Sequence, residues 1–462
     1  MSFDSIFFIS CFLPLLLALY FIVPGVKFKN ALLLVAGLLF YSFGSFTGLM
    51  ILAALFVLNF ALALYIKKGK TRRLGVVLGV VLNLLVLVFF KYLNFLLCDV
   101  FGLPKVDIGI AAPLGISFLV FKCISLLIDT YREPRSVSLR ADKVLLYISF
   151  FPQVTAGPIA RYDQFEQQLA CRTADLETVT LGIRRFVVGL SKKVVICGVL
   201  GKIVDEVFAM EQGLDIRVAW LGAVGYMLQI YFDFSGYSDM AIGLGNIFGF
   251  KTMENFNYPY IANSVGNFWR RWHISLSTWF KDYLYIPLGG NRKGTLRAAL
   301  NKVIVFTLCG FWHGANWTFM VWGLWHGLFT GLESLGQKTV KRLNEKPITN
   351  LLMHIYTLLV VCLGFVMFRA SSLRDGIDVI TAMFSGFDLT FEATLLLHRL
   401  INPRSVLMLI IAVLCSMPLS RLFNSKTKIT MQLSLIGSLF LFVLCIMSLA
   451  SGGFAPFIYA QF

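Results

Sequence analysis

The chain has 462 residues, of which 58% are hydrophobic, 15% aromatic and only 14% charged. A soluble protein of this length needs more charge to cover its surface, and apolar runs of helix-spanning length recur from end to end, which excludes a soluble globular fold. The net charge of +17 does not point to nucleic acid, because the basic residues sit in short loops between apolar runs and no basic domain stands apart.

In chain order, apolar segments fall near 5–24, 30–44, 47–66, 74–97, 113–130, 180–200, 217–234, 300–312, 316–335, 350–368, 404–420 and 430–450. They predict an all-α polytopic membrane protein with about eleven or twelve helices, some of them tilted or half-buried. No short alternating strands of an outer-membrane barrel are visible. The first run, Ile6 to Val23, lacks a basic lead and a small-residue cleavage site, and reads as a retained span. The loop Lys67 to Arg73 (KKGKTRR) and the loop with Arg132, Arg135, Arg140 and Lys143 mark the inside, which places the N-terminus outside.

Residues 144–175 hold FFPQVTAGPIARYDQF, too rich in breakers for an ordinary span, and predict a re-entrant or interfacial segment packed against protein. Residues 251–295 likewise contain no clean span. No separate soluble domain or repeat appears, so residues 1–462 read as one transmembrane domain, with a catalytic core near 113–335. The nine cysteines are scattered without a CxxC pair. Cys11, Cys123, Cys197, Cys309, Cys415 and Cys445 lie in apolar segments and read as small buried hydrophobes, with no metal site.

Residues 229 to 327 are the densest in polar and ionisable groups. Such groups at membrane depth cost a few kcal/mol each and mark function. His313 lies in WHGAN, after the apolar run Val303 to Phe311. Its imidazole suits a general base for an attacking hydroxyl, and burial should keep it neutral. Gly310 and Gly314 allow close backbone approach, while Trp312 and Asn316 shape the surroundings. His326 follows thirteen residues on; a single helix carrying both would hold them about 20 Å apart and about 220° around the axis, so His326 reads as structural.

Residues 268–285 pattern as one helix with Trp269, Trp272, His273, Leu276, Phe280 and Tyr283 on one face, which puts His273 among aromatics. Arg270, Arg271, Lys281 and Arg292 suit the phosphates of an acyl carrier or the acidic face of a carrier protein. Asp233 and Asp239, in YFDFSGYSD, lie on opposing faces if helical; they read as structural carboxylates, paired with Arg270 or Arg271 or holding a broken helix. Ser235 has no nucleophile elbow around it, and the glycines near Gly243 read as helix packing.

The runs QIYFDFSGYSD (229–239), NFWRRWHISLSTWFKDYLYIPLGGN (267–291) and GFWHGANWTFMVWGLWHG (310–327) resemble the membrane-bound O-acyltransferase superfamily, in the bacterial branch that includes alginate O-acetyltransferases. APLGISF, IDTYR, SFFPQVTAGPIAR, the FRA at Phe368 to Ala370 and the closing FIYAQF extend the likeness over most of the chain. Where the branch often carries FYTFQ after GIS, this chain reads FLVFK, and Lys122 in that apolar segment calls for a partner such as Asp129.

The resemblance implies that His313 is the superfamily's near-invariant histidine and His273 the second active-site polar residue. It implies transfer of an acetyl group from cytoplasmic acetyl-CoA, with no permanent cofactor, toward an extracytoplasmic polysaccharide. An esterase-like, serine-dependent extracytoplasmic protein would be the partner. Donor contacts would come from Arg270, Arg271, Lys281, Asn316 and Trp312, in a multi-pass protein of the bacterial inner membrane surrounded by lipid. D-alanyl transfer to teichoic acid from a carrier protein is the neighbouring reading, and a proton-coupled transporter the reading from another class.

Overall fold

The computed structural model describes residues 1–106, 109–134, 137–419 and 428–452. Arg135 and the closing FIYAQF therefore lie outside the described residues. All regular elements among the described residues are helical, so the chain is an all-α multi-pass membrane protein, as its composition requires. The described residues group into two compact units, Met1–Gly189 with Tyr237–Met253, and Leu190–Gly236 with those from Glu254 to residue 452.

The first unit contains α1 (Leu13–Ile22), α2 (Val26–Ser42), α3 (Phe46–Lys68), α4 (Arg72–Leu87), α5 (Ile116–Arg132), α6 (Ala141–Ser149), α7 (Phe151–Val154), α8 (Tyr162–Ala170) and α9 (Leu176–Ser191, which ends just past the unit). The Ser45 hydroxyl caps α3 by accepting from Gly48 N at 3.1 Å, and Lys67 and Lys68 face the helix's negative end before Gly69. Asn59 of α3 and Asn83 of α4, both fully buried, exchange side-chain hydrogen bonds of 3.2 and 2.7 Å. Between apolar helices such a reciprocal pair fixes register. Phe3, Phe8, Phe40, Phe151 and Tyr237 stack into the aromatic centre of this unit.

The segment 148–159 is irregular and buried. Phe150 is extended between α6 and α7, and the chain reaches α8 through non-helical residues, as its prolines and glycine require. Lys122 of α5 is buried and donates to the Tyr147 carbonyl at 3.0 Å, with its ammonium 5.1 Å from that ring's centre. The expected pairing with Asp129 does not occur: Lys122 reaches back to α6 instead. A Cβ on Gly243 would come within 2.7 Å of the Gly182 carbonyl, so these glycines do serve close helix packing.

The second unit contains α10 (Gly198–Phe208), α11 (Ile216–Ile247, which belongs to the first unit from Tyr237), α12 (Val265–Trp269), α13 (Ile274–Phe280), α14 (Thr295–His313), α15 (Trp317–Leu335), α16 (Gln337–Leu343), α17 (Pro347–Arg369), α18 (Leu373–Ser385), α19 (Phe391–Leu400), α20 (Pro403–Cys415) and α21 (Lys428–Ala450). Among the described residues, four stretches, at Phe46–Lys68, Arg72–Tyr92, Pro347–Arg369 and Gln432–Ala450, are long and apolar enough to cross a bilayer; α19 and α20 together make a fifth, bent by 79°. The other expected spans are helical but shorter, more polar or interrupted. The alternative that Asp233 and Asp239 hold a broken helix does not apply, since α11 runs without interruption for 32 residues. Cys11 and Cys415 are exposed on outward helix faces, against the expectation of burial, whereas Cys123, Cys197, Cys309 and Cys445 are buried.

Candidate functional site

α14 and α15 form a tight antiparallel hairpin. The helix stops at His313 because Gly314 is extended, and Asn316 starts the next one, its Oδ1 accepting from Thr318 N at 3.1 Å. Asn316 Nδ2 donates to the Ser371 carbonyl at 3.1 Å, tying the turn to the chain after α17. Asn316 is thus occupied as a cap, which sets the direction of the turn that presents His313.

His313 is buried, with 3% of its surface exposed. Its ring lies 4.9 Å from Trp312, 5.0 Å from Trp322 and 5.2 Å from Phe368, measured between centroids, with edge-to-face angles of 68° to 88°. The hairpin also overturns the separation expected for His326. Folding α15 back along α14 brings His326, fully buried, to 5.2 Å from the same Trp322 and 5.1 Å from Trp269. Trp269 Nε1 donates to His326 Nδ1 at 3.4 Å, which leaves the proton of a neutral His326 on Nε2. The two histidines thus share one aromatic enclosure.

His273 sits at a break, not within a helix. The expected continuous helix over 268–285 is divided into α12, α13 and a wider turn at Lys281–Tyr285. At the division His273 has φ of 43° and ψ of 56°, a left-handed conformation that non-glycine residues rarely adopt outside constrained sites. The surroundings hold it there. Ile274 N donates to the Asn255 carbonyl at 3.0 Å, and Asn255 Oδ1 receives Ser275 N at 3.2 Å and Ser275 Oγ at 2.9 Å. Since a backbone N–H can only donate, that Asn255 atom is the oxygen, so His273 Nδ1, 3.1 Å away, carries the hydrogen. The lone pair of a neutral ring is then on Nε2. Phe234 of α11 closes one side, its ring perpendicular to the imidazole at 4.5 Å. His273 is indeed buried among aromatics.

The His273 and His313 surroundings are joined through α17. Phe365 packs on Trp272 at 5.1 Å, and Phe368, one turn later, packs on His313. The FRA motif therefore contributes a wall of the histidine enclosure, a role that the sequence reading did not assign to Phe368.

A cavity of about 450 Å³ opens beside this enclosure, between α12, α13 and α14. Trp269 forms part of its wall and meets both Trp322 and His326; Cys309, one turn before His313, forms another part. Three cations line it: Arg270 and Lys281, both exposed, and Lys302, half-buried. Arg271 turns elsewhere, donating to Asn267 Oδ1 at 2.6 Å and to the Asn257 carbonyl at 3.0 Å. It pins the loop before α12 and does not line this cavity. Glu333 accepts from Val265 N at 2.7 Å and Gly266 N at 2.8 Å, anchoring the start of α12 to α15. Neither Lys302 nor Glu333 was singled out from sequence, although each is a charge within an apolar segment.

Asp233 is paired with Lys193 at 2.7 Å, both side chains at most 2% exposed, in place of the expected Arg270 or Arg271. Asp239 is paired with Arg185 at 2.9 Å. Both carboxylates are held in ion pairs, but with partners that precede α11 in the chain.

The arrangement offers buried imidazoles, an apolar cavity beside them and cations at that cavity. This combination fits transfer of a group delivered on a long anionic carrier. The family model of the membrane-bound O-acyltransferases matches residues 37–373. A probable alginate O-acetylase of Azotobacter vinelandii is 42% identical over 85% of this chain and 80% of its own. The peptidoglycan O-acetyltransferase of Helicobacter pylori is 36% identical over 82% and 79%. A teichoic acid D-alanyltransferase of Bacillus subtilis is 31% identical over 55% of this chain and 68% of its own. With a match over most of its length and the expected histidines enclosed in one compact unit, this chain belongs to the membrane-bound O-acyltransferase family and is an O-acyltransferase.

Proposed function

We propose that the enzyme moves an acetyl group from acetyl-CoA to a hydroxyl on an extracytoplasmic polysaccharide, from the bacterial inner membrane. Acetyl rather than D-alanyl transfer is favoured because the alginate and peptidoglycan O-acetylating relatives align over more of the chain than the D-alanyltransferase does. The single observation that carries the reading is the chain of ring contacts that links the cation-lined cavity, through Trp269 and Trp322, to His313.

In this reading Arg270 and Lys281, joined by Lys302, hold donor phosphates. The acyl-bearing arm lies along the apolar wall, and the thioester reaches His313. His313 removes the proton from the attacking hydroxyl. The oxygen forms a bond to the acetyl carbonyl carbon, the carbon–sulfur bond breaks, and the proton passes to the leaving thiolate. The products are the ester and free CoA, with no net proton consumed. His273, with its Nε2 lone pair, orients the donor or the acceptor. Trp312 walls the imidazole, while Arg271 and Asn316 keep the loops around it in place. Where a serine-dependent extracytoplasmic partner takes part, its hydroxyl is the first acceptor and the polysaccharide the second.

The test is mass spectrometry of small acids released by base from isolated envelope polymers. A deletion strain is compared with strains rescued by the wild type and by His313→Ala. Acetate should vanish on deletion and return only with the wild type. Loss of D-alanine instead of acetate would assign the carrier-protein donor. Acetate restored in full by His313→Ala would remove that residue from the site.

A further inference from the structure

Away from the histidine enclosure, the second unit has another recess, of about 260 Å³, between α10, the end of α19 and the start of α20. Its walls carry Lys202, Arg399 and Arg404 against one carboxylate, Glu206. Arg399 and Glu206 are ion-paired. Lys202 and Arg404 are exposed, and neither side chain has a hydrogen-bond or ion-pair partner among the described residues. The recess therefore has two uncompensated positive charges.

Its setting is apolar. Leu395, Ile401, Leu407 and Met447, close in the chain to its lining residues Arg399, Leu400, Ser405 and Ser448, are all at least half exposed. α19 and α20 together are apolar enough to form one span, but they are bent by 79° here. A break at membrane depth persists only where the freed backbone groups find polar partners. Asn402 supplies one, its Oδ1 accepting from Ser405 N at 3.0 Å. Pro403 has no N–H, so the Arg404 N–H is the donor of that first turn left without an intrahelical acceptor. Unpaired cations in a recess at the elbow of a broken span, framed by outward-facing apolar side chains, match a ligand with an anionic head and apolar tails.

We infer that this recess binds the phosphate group of an anionic membrane phospholipid. Lys202 and Arg404 hold the phosphate oxygens, while the acyl chains run along Ile401, Leu395 and Met447. The Arg399–Glu206 pair forms one edge of the site. This assignment does not depend on the acyl donor or on the histidines.

The full-length protein would be incubated with vesicles containing equal amounts of phosphatidylglycerol and phosphatidylcholine, and the retained lipid read by native mass spectrometry. The wild type should retain phosphatidylglycerol preferentially. Lys202→Gln and Arg404→Gln should each weaken that retention about 5-fold, and the double variant on the order of 25-fold. Lys338→Gln with Lys341→Gln, exposed cations of α16, should change nothing. Because Lys202 and Arg404 have no partners to lose among the described residues, the unfolding midpoint in pure phosphatidylcholine should stay that of the wild type. Equal retention of both lipids by the wild type, or undiminished phosphatidylglycerol on the double variant, would overturn the inference. So would displacement of phosphatidylglycerol by millimolar inorganic phosphate, which would make the recess a site for soluble phosphate.

Discussion

Replacing Gly310 with alanine should cost both activity and stability. α14 and α15 cross backbone against backbone at Gly310 and Gly323. A Cβ on Gly310 would lie 3.0 Å from Gly323 Cα and 3.1 Å from its nitrogen, and would collide with the Phe319 carbonyl. None of these atoms is the end of a flexible side chain, so the helices must part by roughly 1 Å to restore van der Waals separation. His313 lies one turn beyond Gly310, and Trp322 immediately precedes Gly323, so the same displacement opens the 5.0 Å contact between those rings. Overpacking of this kind costs about 1–3 kcal/mol of stability, whereas a misplacement near 1 Å at a reacting group costs on the order of 100-fold in rate. The same hairpin contains its own control. A Cβ on Gly331 would meet nothing closer than the Ala299 carbonyl at 3.4 Å and Val303 Cγ2 at 3.5 Å. Gly331→Ala should therefore keep activity and gain a little helix stability. The assay is the initial rate of ester formation by purified protein in lipid nanodiscs, run alongside the unfolding midpoint. If Gly310→Ala works within twofold of Gly331→Ala, the close crossing does not set the geometry of His313 and the reasoning fails.

Asp233→Asn should destabilise the second unit by about 3–5 kcal/mol by leaving Lys193 buried without its counter-charge, and Lys193→Met with Asp233→Leu should recover most of that loss; additive effects in a thermal-unfolding cycle would deny the coupling. Asn255→Ala removes the acceptor that sets the His273 tautomer and supports its left-handed backbone. Activity should fall about 10-fold, with kcat more affected than donor KM; an unchanged kcat and pH profile would leave His273 a packing residue. Arg270→Gln and Lys281→Gln should each raise donor KM about 10-fold with little change in kcat, an effect that weakens as salt is raised. A fall in kcat with KM constant would place the donor phosphates elsewhere.

The helical, membrane-embedded nature of the chain was legible because it depends on composition and on local breakers. The broken, buried run 148–159 follows from its prolines and glycine, and the stop after His313 from Gly314. His313 and His273 stood out because an imidazole in an apolar stretch is costly without a purpose. The break at His273 was hidden because RRWHISLS contains no proline or glycine. Helical spacing fits residues 268–285, and only the hydrogen bonds from Ile274 and Ser275 to Asn255 hold His273 at a φ of 43°. Pattern within one segment does not record a hydrogen bond to a residue eighteen positions away.

The ion pairs show the same boundary. That Asp233 needs a cation follows from its residue type and apolar surroundings; that the cation is Lys193 depends on which helix packs against α11. Lys122, likewise, needed an acceptor, and the packing of α6 on α5 made it the Tyr147 carbonyl in place of Asp129. The sequence by itself determined the chemistry available: apolar helices for a bilayer, imidazoles within them, and cations on the segment between. The tertiary structure alone decided which of these groups meet. Folding α15 back on α14 at Gly310 and Gly323 put His326 beside the enclosure that His313 occupies, and α17 delivered Phe368 to its wall. The physical reason is that burial and backbone conformation are largely local properties of a chain, whereas a site is a set of distances between segments, and those are set by how helices pack.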